Sequence, residues 1–84
     1  MKHFALAAAI LAVAAVPALA NTLRHDRDAL VRAHAAWALG RIAGEGATSV
    51  LREVQAKEED PVVLEEIAQA VRTCDVHHPQ RNAQ

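Results

Sequence analysis

At 84 residues the chain has room for one small domain, and a domain of that size buries too little surface to be stable without close packing, staples or partners. A formal net charge of -1 removes the whole-chain signature of a nucleic-acid binder. The single cysteine, Cys74, excludes an internal disulfide and the thiolate sets of zinc ribbons and iron-sulfur clusters, so no cofactor cage is encoded. Aromatic residues make up 2% of the chain, Phe4 and Trp37 alone, whereas alanine is abundant. That balance favours closely packed helices over strands, whose interiors prefer branched and aromatic side chains, and the class is all-α.

The first twenty residues admit two readings. Met1-Lys2-His3, the apolar run Phe4 to Val16 and Pro17-Ala-Leu-Ala20 have the basic start, hydrophobic middle and small-residue site of a secretory signal that would release Asn21. The apolar run falls short of the ~20 residues needed to span a bilayer, so no permanent membrane span is expected. Internal periodicity supplies the other reading. A shift of thirty-two positions lays Asp28, Val31, Ala35, Ala36, Ala38 and Leu39 on Asp60, Val63, Ile67, Ala68, Ala70 and Val71, and a shift of thirty-one lays Leu19 and Leu23 on Val50 and Val54. Pro17 to Leu23 then reads as the second helix of an earlier unit, with Pro17 in its first turn, and His3 to Ile10 as that unit's first helix. Cleavage after Ala20 would cut through the helix that Leu19 and Leu23 complete.

In chain order the pattern predicts helices over Lys2 to Ala14, Pro17 to Arg24, Ala29 to Ala43, Thr48 to Lys57 and Pro61 to Thr73. Asp28 is placed to cap the third through its carboxylate, and Gly44 to close it in a left-handed conformation, with Glu45-Gly46 as a tight turn. Asp60-Pro61 repeats the start signal. Residues 74–84, polar and carrying Pro79, read as a disordered tail after a repeat domain over 16–73. On the central helix Val31, Ala35, Ala38, Leu39 and Ile42 form a stripe expected to be buried. Leu30, His34, Trp37 and Arg41 form an adjoining half-polar stripe suited to a further repeat or a ligand, with Trp37 at an interface or in the core.

Charge is unevenly spread. From Asn21 to Gly44 the arginines Arg24, Arg27, Arg32 and Arg41 outnumber Asp26 and Asp28, while from Glu45 to Arg72 the acids Glu45, Glu53, Glu58, Glu59, Asp60, Glu65 and Glu66 outnumber Arg52, Lys57 and Arg72. Ordinary solvated helix faces account for such a distribution, and Glu58 to Asp60 read as a solvated turn. Cys74, His77 and His78 lack further ligands at a recognised spacing, so no metal is assigned. No serine-centred or glycine-rich phosphate motif occurs, and His25 and His34 stand beside no nucleophile. No catalytic residue is assigned.

Val16-Pro-Ala-Leu19, Leu30-Val-Arg-Ala-His-Ala-Ala-Trp-Ala-Leu-Gly-Arg-Ile42, Glu58-Glu-Asp-Pro61 and Glu65-Glu-Ile67 resemble HEAT-type repeats. More narrowly, the span Val16 to Val71 resembles the C-terminal HEAT-like region of bacterial epoxyqueuosine reductase, the cobalamin and iron-sulfur enzyme that completes queuosine in tRNA. Ala33 to Gly40 is the most specific part of the match. The resemblance implies a short α-solenoid of antiparallel helix pairs, about two units plus a partial first one. It implies a truncated or split, non-catalytic binding module, because the family's reductive chemistry belongs to an upstream domain with cysteine-rich motifs. It further implies a cytoplasmic location and contact with tRNA or a catalytic partner domain, with Arg32, His34 and Arg41 as the matched positions for phosphate. Arginines at the place of Arg32 also pair with a carboxylate of the same or a neighbouring repeat in such helices, and Leu64 stands at the equivalent position of the next unit, so a repeated basic ladder is missing. The alternative is an exported or periplasmic module for protein interaction, if residues 1–20 are removed.

Overall fold

The computed structural model describes residues 15–42 and 45–77. Residues 15–25 are helical (α1) and are followed by α2 (Ala29–Ile42), α3 (Glu45–Gln55) and α4 (Pro61–His77), with no strand among the described residues. Successive helices pair in antiparallel fashion, so that α2 and α4 lie side by side in one layer and α1 and α3 in the other. This is the all-α solenoid expected from the internal repeat. The predicted helix over Lys2 to Ala14, the Gly44 cap and residues 78–84 lie outside the described residues.

The starts of α2 and α4 are each written in a short polar side chain. The Asp28 Oδ1 accepts from the Leu30 N–H at 2.9 Å, and the Asp60 Oδ1 accepts from Val62 N–H at 2.9 Å and Val63 N–H at 3.2 Å. Those amides belong to the first turn, where no intrahelical carbonyl reaches them. Pro61 then occupies the first helical position, where its missing N–H costs nothing. The preceding turns are alike as well: Asp26 Oδ1 accepts from Asp28 N–H, and Glu58 Oε2 accepts from Asp60 N–H, both at 2.9 Å and thirty-two residues apart.

The core gathers one stripe from every helix: Leu23 from α1, Ala35, Ala36 and Leu39 from α2, Ala47, Leu51 and Val54 from α3, and Val63, Ile67, Ala70, Val71 and Cys74 from α4. No polar or charged residue is buried among the described residues. The closest approach is between α2 and α4. A Cβ built on Gly40 would lie 2.8 Å from the Ala70 Cβ and 2.9 Å from its Cα, closer than carbon atoms tolerate. Gly40 continues the row Ala33, Ala36 along α2, and all three are buried. Small side chains on this row are what let the two helix axes come together.

Three expectations are corrected by this packing. Of the stripe expected to be buried on α2, Ala35 and Leu39 are in the core, but Val31 is 38% exposed and Ala38 and Ile42 are only half-buried. The face toward α4 is instead the row Ala33, Ala36 and Gly40, whose small residues carry little hydrophobicity but permit contact. Helix α3 begins at Glu45, so Glu45-Gly46 is its first turn rather than a separate tight turn. Burial of Ala47, Leu51 and Val54 on one face sets the helical phase through Gly46. Helix α4 runs on to His77, and Cys74, expected in a tail, is 1% exposed, because it continues the stripe of Ile67, Ala70 and Val71.

The two described glycines are predicted to respond oppositely to alanine. Gly40→Ala forces α2 and α4 apart and should cost about 1–3 kcal/mol in chemical denaturation. Gly46→Ala meets only Val16 Cγ1 at 3.9 Å, an ordinary contact, and should be neutral or stabilise by roughly 0.5 kcal/mol by reducing the freedom of the unfolded chain.

Candidate functional site

The exposed surface of α2 is the stripe Leu30, His34, Trp37 and Arg41, whose members recur at helical spacing and all face outward. Trp37 is 56% exposed and Leu30 60% exposed, so Trp37 does not belong to the core. The Arg41 guanidinium carbon lies 5.6 Å from the centroid of the Trp37 ring, within range of attraction to the negative face of the indole. Two shallow apolar grooves flank this stripe and share His34 and Trp37. One, between α2 and α4, is walled by Leu30, Ala33, Val62 and Glu66. The other, between α1 and α2, is walled by Leu19, Thr22, Val31, Ala35 and Ala38. Val62, 59% exposed, and Glu66 complete the first groove from α4, a contribution that only the stacking of the units reveals.

Arg32 is placed differently from His34 and Arg41. Its Nε and a terminal nitrogen donate to the two carboxylate oxygens of Glu58 at 3.1 and 3.0 Å, and its other terminal nitrogen donates to the carbonyls of Asp26 at 2.9 Å and Arg27 at 3.2 Å. Its side chain is 18% exposed and that of Glu58 8%. Arg32 thus joins the turn before α2 to the turn before α4. The pairing follows the alternative noted for arginines at this position. Glu58 also accepts from the Glu59 and Asp60 N–H groups, which replaces the solvated-turn reading of Glu58 with a largely buried bracket.

Arg24 makes a second forked pair, donating from Nε and a terminal nitrogen to Glu53 at 2.9 and 2.8 Å and linking α1 to α3 at the surface. The basic excess read from the first half of the chain is therefore consumed largely by acids of the second half. Both pairs face a charged recess that also includes His25, Lys57 and Pro61. Arg52 lies 3.7 Å from Asp75. Among the described residues no group of three or more His, Cys, Asp or Glu side chains is arranged to hold a metal ion, and no helix is long and apolar enough to cross a membrane.

Hydrogen bonds from Arg32 hold the Glu58 carboxyl below the ordinary carboxylate range, with burial opposing and the Asp60 N–H adding to the effect. Arg24 does the same for Glu53. A carboxylate depressed in the folded state leaves more protons on the unfolded chain, so its stabilisation is present above the unfolded value and is lost as pH falls through the folded one. The thermal midpoint should accordingly hold between neutral pH and pH 5 and drop below about pH 4. Glu58→Gln should start from a lower midpoint at pH 7 and lose less on acidification; parallel curves for the two proteins would contradict this. Arg32→Ala, which leaves Glu58 without its partner, should cost about 1–3 kcal/mol, and Arg32→Lys should restore only part of this because an ammonium cannot fork across a carboxylate.

Comparison with known proteins agrees with this geometry. The chain is 37% identical over 65 residues to epoxyqueuosine reductase of Bacillus cereus, and equally to that of Bacillus anthracis, a match that covers 70% of this chain and 17% of each relative. The chain therefore corresponds to a minor part of these curated relatives. No solved structure matches it. A model of HEAT repeats matches residues 4–72, across the internal repeat, both capped turns and the α2–α4 contact. The chain belongs to the HEAT-repeat family.

Proposed function

We propose that this chain is a non-catalytic binding module that contacts RNA, specifically tRNA, through the outer face of α2, as a counterpart of the HEAT-like part of epoxyqueuosine reductase. The observation that carries the reading is the exposed Trp37 with Arg41 against its ring and His34 one turn away. An exposed indole offers an unpaired base a stacking surface, and an arginine beside it supplies charge to the adjoining phosphate. His34 and Arg41 are the direct contacts in this reading. Arg32 acts through the fold, because its donors are directed at Glu58 and at the turn carbonyls. The similarity to part of epoxyqueuosine reductase supports the kinship on which this reading is built, and the reading adds the cytoplasm as the place of action and a catalytic domain as partner.

A second reading is favoured by Leu30, Val31 and Val62, large apolar side chains that remain exposed beside Trp37. These suit a protein partner, including one met outside the cell if the chain is exported.

Fluorescence anisotropy with a labelled tRNA anticodon stem-loop separates the two. Trp37→Ala is expected to weaken binding by about tenfold or more, the loss of one stacked base. Arg41→Glu is expected to weaken it further and to reduce the slope of log affinity against log salt by about one. Absence of binding at low salt, or affinity that neither variant changes, would reject the RNA reading. Capture of a protein through a surface that Leu30→Asp and Val62→Asp abolish would favour the second.

A further inference from the structure

The half-buried acids among the described residues are Asp26, Glu58, Asp60, Glu66 and Asp75. Asp26 and Asp60 accept from nearby backbone amides, Glu58 is held by Arg32, and Asp75 lies beside Arg52. The Glu66 carboxylate is different, having no hydrogen-bond or ion-pair partner among the described residues. It stands on the wall of the groove between α2 and α4, which Trp37 and His34 also line and to which Leu30, Ala33 and Val62 contribute apolar surface. His34 and Glu66, thirty-two residues apart, hold equivalent positions on α2 and α4. A carboxylate partly withdrawn from water in such a setting requires donors, and none of the described residues supplies them.

This acid does not suit a surface that meets phosphate alone, because it repels the backbone. Beside a stacking platform it has a use. An unpaired base that lies against the indole presents its edge to the groove, and a carboxylate there accepts only from N–H groups. Guanine offers a ring N–H and an amino group side by side, the same parallel fork by which a guanidinium meets a carboxylate. Adenine and cytosine each place one amino group beside a bare ring nitrogen. Uracil sets one N–H between two carbonyl oxygens, which a carboxylate repels. We propose that the groove between α2 and α4 is a base-reading subsite that selects an unpaired guanine, with Trp37 as the stacking surface and Glu66 as the residue that determines specificity. The proposal rests on the RNA reading above and adds to it which base is taken and by which side chain.

Trp37 is the one tryptophan of the chain, so its fluorescence reports this groove directly. The full chain is titrated with three single-stranded pentanucleotides of uridine in which the central base is guanine, hypoxanthine or uracil. Guanine is expected to bind about tenfold or more tighter than uracil, with hypoxanthine, which lacks the amino group, in between. Glu66→Gln should reduce the preference for guanine to about twofold or less and should bind the all-uridine strand at least as well as the parent chain, since a charge that opposes phosphate is gone. A role of Glu66 in repulsion alone would raise affinity for all three strands equally and would overturn the proposal. Equal affinity of the parent chain for the three strands would also overturn it while leaving the RNA reading in place. Quenching by none of them, together with no binding of the stem-loop, would overturn both. Circular dichroism of Glu66→Gln should match that of the parent chain, so that any lost preference is read from a folded protein.

Discussion

The contact on which the rest of the molecule depends is the approach of α2 to α4 at Gly40 and Ala70. Two helices come this close only where neither presents a side chain beyond Cβ, and the row Ala33, Ala36, Gly40 meets that condition on α2. Closeness has consequences at both ends of the helix pair. It brings the turn before α4 within reach of Arg32, so that one guanidinium spans two turns. It also fixes which residues of α2 are left outside. With Ala33 and Ala36 facing α4 and Ala35 and Leu39 facing the core, helical geometry directs Leu30, His34, Trp37 and Arg41 to solvent.

Electrostatics in this fold serves mainly to connect units. Arg24 and Arg32 are neutralised by Glu53 and Glu58, one pair exposed at the α1–α3 surface and the other largely buried between turns. The buried pair carries more weight, because Glu58 has its remaining capacity filled by backbone N–H groups and each group would be stranded without the other. The turn chemistry Asp26–Asp28 and Glu58–Asp60 is repeated, but the connector is not, since Leu64 stands where Arg32 would recur. The link is thus particular to the junction between these two units.

Function is confined to what this scaffolding leaves over. With two of the four arginines before Gly44 tied internally, the molecule presents an apolar strip edged by His34, Arg41 and Glu66. A surface of that kind is suited to recognition by stacking and shape with modest help from charge.

Much of the architecture was legible in the linear chain. Capping aspartates, the proline after Asp60 and the thirty-two-residue repeat are local or periodic signals, because helix starts are decided by the side chains adjoining them and stacked units must reuse one pattern of buried positions. The outward stripe of α2 followed from the same periodicity. What the chain alone did not reveal were the long-range partners and the relative weight of faces. Alanine and glycine register as weakly hydrophobic, so the row against α4 was less conspicuous than Val31 and Ile42. The continuation of α4 through Cys74 rests on a core whose other walls come from distant residues. Glu58 looked like part of a solvated turn until Arg32 was seen to fold back over it. Sequence by itself determined the helices, their caps and the repeat, since these depend on neighbours along the chain. Only the tertiary structure decided which charges are spent on holding the units together and which side chains remain to meet a partner, since both depend on residues that adjoin only after folding.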